Sequence, residues 1–248
     1  METSGPDPRT CNGDTEMPEA ASVAGSRFTS PKESLLQLTL DLLERVTEPM
    51  SSSSSSSLDG KVALVTGSSD RDNIGFAIAE SLAKRGCSLV LSGSRRSEMV
   101  ESVKADLGKQ YKTPVRYIAA DLNEITSIEN LRDEIKNAHS QGIDILVNNA
   151  VATPAFLPIE SVTMDIWMKN LRVNLTAPFL LTQLFLSEMK VKGWGRIINI
   201  SSVYGLIGTE NLVEYVTTKH GLNGLTKRLG NISRILLKIL EYHTKTVW

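Results

Sequence analysis

A doubly wound α/β domain with a parallel sheet is the fold class predicted for this chain of 248 residues, and three observations predict it. From Lys61 onward, short apolar runs alternate with amphipathic segments of helical period, the pattern of strands joined by helical crossovers. The first run, KVALVTG, enters a glycine turn that leads straight into a helix, whose unpaired N–H groups and dipole favour phosphate. Polar residues then recur at the carboxyl ends of later runs, where an open parallel sheet holds its ligand.

Composition narrows the classes. A hydrophobic content of 41% and a charged content of 22% are those of an ordinary globular protein. A formal net charge of -1 gives nucleic acid no electrostatic footprint. Cys11 and Cys87, the only cysteines, are too few for a disulfide framework or a metal site, so a reducing compartment is expected. No run of about 18 apolar residues exists to span a membrane, and charges and prolines interrupt any N-terminal apolar region. Residues 1–57 carry nine acids against four bases, a poor mitochondrial presequence. The cytoplasm is the expected location.

Taken in order, residues 1 to about 29 have hardly any large apolar side chain and are expected to be disordered. An amphipathic helix is expected over about 30–48. It opens with Ser30 as N-cap, Pro31 at the first helical position and Glu33 closing a capping box. Seven serines, Ser51–Ser57, form a flexible tether. The helix either packs loosely on the domain or docks a partner.

The domain proper is expected over 58–227. KVALVTG is its first strand, followed by a helix from Ile74 to Arg85 closed by Gly86. SLVLSG is the second strand. Its helix starts at Ser97, turns Val100, Val103 and Leu107 inward and is expected to end at Gly108. PVRYIAADL is the third strand, and Ile128, Leu131, Ile135 and Ala138 form one stripe of the next helix. IDILVNN and RIINISS are the fourth and fifth strands. Between them a helical region from Thr163 to Lys190 is interrupted by Pro178. Proline has no N–H, so a kink is expected that frees the Asn174 carbonyl to bind a water.

The chemistry is read from the stretch after the fifth strand. Ser202 ends that strand, Tyr215 follows thirteen residues later, and Lys219 lies one helical turn beyond Tyr215, on the same face. A nearby ammonium favours the ionised phenol and lowers its pKa from about 10, which makes Tyr215 a usable general acid or base. Ser202 could donate to the same carbonyl oxygen.

At the other end of the groove, the turn from Thr66 to Gly75 would surround a phosphate. Gly67 lets the backbone turn, and Gly75 permits close approach. Ser68, Ser69, Asn73 and Ile74 complete the expected contacts. After the second strand an acid usually partners the ribose 2′-hydroxyl, whereas a base accommodates a 2′-phosphate. Here Gly93, Ser94, Arg95 and Arg96 follow, so NADP(H) is expected, with NAD(H) as the alternative. The opposing reading makes Arg95 and Arg96 the solvated start of a helix.

The ordered set of Thr66-Gly67, Gly75, Asp121-Leu122, Asn148-Asn149-Ala150, Asn174, Ser202 and Tyr215 with Lys219 resembles the classical short-chain dehydrogenase/reductase family. The resemblance implies a Rossmann-type dinucleotide site and an oxidoreductase acting on a small carbonyl or alcohol substrate. By the same resemblance Tyr215 is the acid/base, Lys219 lowers its pKa and holds the nicotinamide ribose, and Ser202 orients the carbonyl. Asn174 fixes a relay water, Asp121 and Leu122 contact the adenine, and Asn148 to Ala150 line the groove.

GRIINISS and KHGLNGLTK look most like D-3-hydroxybutyrate dehydrogenases. Thr153, Tyr204 and Leu212 stand where that subgroup's polar residues are expected, so hydroxybutyrate is not assigned.

Departures from the family pattern are a turn two residues longer than usual, Asn73 where a glycine is common, and Val151 in place of another glycine. Relatives continue through further strands and a substrate lid, whereas only 29 residues follow Lys219. The chain thus resembles a truncated form lacking the family's last strands, with an atypical tail over 228–248. The fifth strand is expected to be a bare edge, or to be covered by a replacement helix formed by Ile235, Leu236, Leu237, Ile239 and Leu240. A non-catalytic isoform that binds cofactor or pairs with a longer relative is the alternative function. The helices near 165–190 and 215–228 resemble the family's oligomer surface.

Overall fold

The computed structural model describes residues 57–232 and 237–244. The expected tail, the helix over 30–48 and nearly all of the serine tether lie outside these residues, as do Ile235 and Leu236.

Six strands form one sheet: β1 (Val62–Thr66), β2 (Ser88–Gly93), β3 (Val115–Ala119), β4 (Ile145–Asn148), β5 (Gly195–Ser202) and β6 (Leu237–Thr244). Their order is β3-β2-β1-β4-β5-β6, and every pair is parallel. The order reverses between β1 and β4, which puts a crevice at their carboxyl ends. The crossovers are α1 (Ile74–Ala83), α2 (Glu101–Tyr111), α3 (Ile125–Ala138), α4 (Met164–Leu171), α5 (Ala177–Lys192) and α6 (Val213–Ile232).

Strands buried on both faces read as continuous apolar runs, and β1 shows why. Ala63 and Val65 face a core shared with Leu82 of α1 and Val103 and Leu107 of α2, while Leu64 faces Leu131 of α3 and Leu181 and Phe185 of α5. Removing one such fully buried leucine side chain costs about 2–5 kcal/mol.

Local chemistry sets the helix ends. Asn73 caps α1 by accepting from the Phe76 N–H at 2.8 Å. Gly86, at φ 87°, closes the other end: its N–H donates to Ala83 and that of Cys87 to Leu82. That pairing satisfies the last carbonyls in a left-handed cap. The expected stop at Gly108 is corrected. The helix α2 continues to Tyr111, and Lys112 at φ 53° takes the left-handed position instead.

The interruption expected near Pro178 takes the form of a π-turn, Arg172–Thr176, between α4 and α5. The N–H of Ala177 reaches back five residues to Arg172. Pro178 has no N–H for the carbonyl of Asn174 in α register, so the wider turn is where the chain absorbs the missing donor.

The replacement helix is also corrected. Residues 237–244 form β6, which runs in register along β5 from Gly195 opposite Leu237 to Ser202 opposite Thr244. A strand satisfies the backbone groups that a bare β5 edge would leave unpaired, which a packed helix cannot do. Among the described residues no helix is long and apolar enough to cross a membrane.

Candidate active site

The carboxyl ends of β1, β2, β4 and β5 bring the expected site residues to one edge of the sheet. On the phosphate side, Gly67 at φ 65° turns the chain out of β1, and a Cβ there would lie 2.8 Å from the Ala150 Cα. A Cβ on Gly75 would overlap the Gly67 carbonyl and stand 2.5 Å from Asn149 Nδ2. Both positions therefore need glycine. Asn149 fills the space, its Nδ2 donating to the carbonyls of Thr66 at 2.9 Å and Gly67 at 3.1 Å. Ser68 turns inward and donates to Val65, and Ser69 lies against Gly93.

The Asn73 cap uses the N–H of Phe76, while those of Ile74 and Gly75 have no acceptor among the described residues. Unpaired donors at a helix N-terminus suit an anion such as a pyrophosphate. Asn73 thus does more than replace a glycine, because its side chain closes one end of this anion cradle.

Farther along, Ser94 and Arg95 leave β2 on the exposed side, and the Arg95 guanidinium lies 2.7 Å from the Asp70 carboxylate. The Tyr117 hydroxyl is 3.0 Å from the Gly93 carbonyl and 2.7 Å from that of Arg95. Asp121 is exposed beyond β3, its carboxylate accepting from the Asn123 N–H, and Leu122 is buried against α3.

At the β5 end of the groove, Ser202 ends β5 and its Oγ accepts from the Tyr204 N–H at 3.2 Å. Tyr215 and Lys219 share one face of α6, with the Lys219 Nζ 5.5 Å from the phenol ring centre. Lys219 is almost fully buried and donates to the Ile200 carbonyl at 2.7 Å. Burial pushes its pKa down to about 8, because the ammonium is poorly solvated there.

Asn174 is buried within the π-turn and its side chain is a junction. Its Oδ1 accepts from the Ala152 N–H at 2.8 Å, and its Nδ2 donates to Asn170 Oδ1 at 3.0 Å and Thr218 Oγ1 at 3.3 Å. Thr218 in turn donates to the Tyr215 carbonyl. The loop after β4, the kinked helix and the helix carrying Tyr215 are therefore locked together at Asn174.

Several contacts escaped the sequence reading. The Thr66 hydroxyl receives the N–H groups of Asn149 and Ala150 and donates to Val147, which fixes the β1–β4 crevice. Asn148 donates to Asn199 and Asn199 to Thr226, a buried polar ladder into α6. Glu214, buried beside Tyr215, accepts from the Ala155 N–H at 3.1 Å. An Asn inside the apolar run IINIS, and the four-residue spacing of Asn170 and Asn174, were the available signals. Glu214 offered none, since an acid in a helix's first turn is ordinary. No group of three or more His, Cys, Asp or Glu among the described residues could hold a metal ion.

The profile of the short chain dehydrogenase family matches residues 61–233. The chain is 43% identical over 172 residues to a 3-oxoacyl-acyl-carrier-protein reductase of Aquifex aeolicus, covering 69% of this chain and 67% of that protein. It is 38% identical over 172 residues to a D-beta-hydroxybutyrate dehydrogenase of Cupriavidus necator, covering 68% and 64%. The crystal structure of a metagenomic short-chain oxidoreductase in complex with NADP is similar with a TM-score of 0.66 and 33% identity, covering 71% of this chain and 78% of that one. The chain spans about three-fifths to two-thirds of the length of the curated relatives it matches.

Proposed function

Because the chain belongs to the short-chain dehydrogenase family, we propose that it is an oxidoreductase that uses NADP(H), or NAD(H) as the alternative, on a small carbonyl or alcohol substrate. The observation that carries the reading is the convergence on β5. Lys219, one turn from Tyr215, donates to Ile200, two residues before Ser202. Two elements bearing an acid/base and a carbonyl-orienting hydroxyl are thus joined beside an anion cradle.

When bound, the nicotinamide supplies or accepts the hydride. Tyr215 gives its phenolic proton to the substrate oxygen in reduction and removes it in oxidation. Ser202 orients that oxygen through its hydroxyl. The cationic Lys219 favours the phenolate that Tyr215 forms on giving up its proton and holds the nicotinamide ribose. Asn174 holds this geometry through its side chain and, by its carbonyl, positions the relay water. Ile74, Gly75 and their neighbours Gly67 and Ser69 hold the pyrophosphate, whereas Ser68, expected among these contacts, is fully buried with its N–H on Ser92 and its hydroxyl on Val65 and shapes the turn from inside. Arg95 and Ser94 take the adenosine ribose end, Asp121 and Leu122 the adenine, and Asn148 to Ala150 the groove floor. The domain proposed for these roles spans 58–227, and the helices near 165–190 and 215–228 are proposed as the face for a homo-oligomer.

The alternative reading is a non-catalytic form that binds cofactor or joins a longer relative. The test is cofactor oxidation by the purified chain across a panel of ketones, aldehydes and 3-oxo acids, with Tyr215→Phe as control. Turnover that the control lacks supports the first reading. Cofactor binding with no turnover on any panel member supports the second.

A further inference from the structure

The sequence alone offered Arg95 as an unopposed cation for a 2′-phosphate, since no acid follows β2. The structure supplies an acid from elsewhere. The lengthened turn carries Asp70 across to Arg95, where the carboxylate and guanidinium meet at 2.7 Å, with side chains 40% and 47% exposed. The same turn is anchored on its far side by Arg71, which pairs with Asp106 of α2 and donates to the Ser102 carbonyl. The Asp70 backbone is also defined, its Oδ1 accepting from the Asp72 N–H and its carbonyl from that of Asn73. Tyr117 holds the backbone on the opposite side through the carbonyls of Gly93 and Arg95.

We infer that Asp70 is a specificity-determining residue for the cofactor, competing with a 2′-phosphate for Arg95 and accepting from the 2′-hydroxyl when no phosphate is present. The inference rests on the cofactor reading above. A phosphate and a guanidinium form strong charge-assisted bonds, but here the phosphate must displace a carboxylate or sit beside it, and like charges disfavour each other. An unphosphorylated ribose leaves the pair intact and meets an acceptor, the role an acid after β2 ordinarily fills. The turn after β1 therefore restores, from another element, a group that β2 lacks. The Arg95–Asp70 pair balances the site between NADP(H) and NAD(H) instead of committing it to the phosphate. Arg96, exposed at the next position, has no side-chain partner among the described residues and is the rival phosphate ligand.

The test is fluorescence titration of the cofactor-free protein with NADPH and NADH, for the native chain and for Asp70→Asn, Arg95→Gln and Arg96→Gln, each checked for an unchanged melting midpoint. Asp70→Asn is expected to raise the ratio of NADPH to NADH affinity about three- to tenfold. Arg95→Gln is expected to lower that ratio about tenfold, and Arg96→Gln to leave it within about twofold. An unchanged ratio in Asp70→Asn, or a loss of NADPH preference in Arg96→Gln instead of Arg95→Gln, overturns the inference while leaving the cofactor site standing. A native chain that binds neither cofactor overturns the site reading, and this inference with it.

Discussion

The ammonium of Lys219 donates a 2.7 Å hydrogen bond to the carbonyl of Ile200, pinning α6 to β5 two residues before Ser202. This bond joins the two elements that carry the proposed reacting groups, beside the Asn199–Thr226 bond. The same burial that shapes this contact makes Lys219 easy to deprotonate.

That burial sets a pH dependence. The folded state loses the Lys219 proton near pH 8 and the unfolded chain near 10.5. Between those values the unfolded chain binds more protons, so stability rises with pH. From its ordinary 9.0 the Cys87 thiol is pushed up to about 12 by burial, and above pH 9 it acts in the opposite sense. The clean window is therefore pH 8 to 9, where urea unfolding of the cofactor-free chain should gain about 1 kcal/mol. Lys219→Met should abolish that gain, and a gain that persists in the variant would remove Lys219 as its source.

Tyr215→Phe removes the proposed proton donor and keeps the ring, its burial and the helix. Turnover should fall by about 100-fold or more, with NADPH affinity within about twofold of native. Steady-state kinetics together with a cofactor titration separates the two effects, and a parallel loss of binding would make Tyr215 a structural residue.

Gly75 tolerates no side chain, since a Cβ would meet the Gly67 carbonyl and Asn149 Nδ2. Gly75→Ala should lower stability by about 1–3 kcal/mol and abolish cofactor binding by reshaping the turn. Native affinity in the alanine variant would show that the anion is held elsewhere.

At Asn174, alanine leaves the buried Ala152 N–H and the Asn170 Oδ1 without their partner. A cost of about 1–3 kcal/mol is expected in chemical denaturation, with a fall in kcat because Tyr215 is held through Thr218. A stable but inactive variant would shift the weight to a relay water, and a fully active one would remove Asn174 from the site.

The legibility of this chain followed the range of each interaction. Strands such as Val62–Thr66 and helix stripes such as Ile128, Leu131 and Ile135 were readable because burial imposes a short period on the sequence. The cap at Gly86 was readable because the left-handed turn is local, whereas Gly108 misled because Lys112 occupies the left-handed position. The residues 237–244 have the same apolar content as a helix stripe. Their strand state depends on the open edge of β5, a partner more than forty residues away.

Within the site, the residues set by neighbours in sequence were visible: the Gly67 turn, and Tyr215 one turn before Lys219. The crosslinks that hold them were not. Thr66 to Asn149, Asn174 to Ala152 and Asp70 to Arg95 join distant segments, and no periodicity encodes such pairs.

Whether this fold carries a working nicotinamide-cofactor site is decided by a thermal melt of the purified chain with and without NADP(H) and NAD(H). A ligand that binds only the folded state raises the midpoint by an amount that grows with its concentration. A working cofactor site requires one cooperative transition that at least one cofactor raises in this way. A cooperative transition that neither cofactor moves would contradict it.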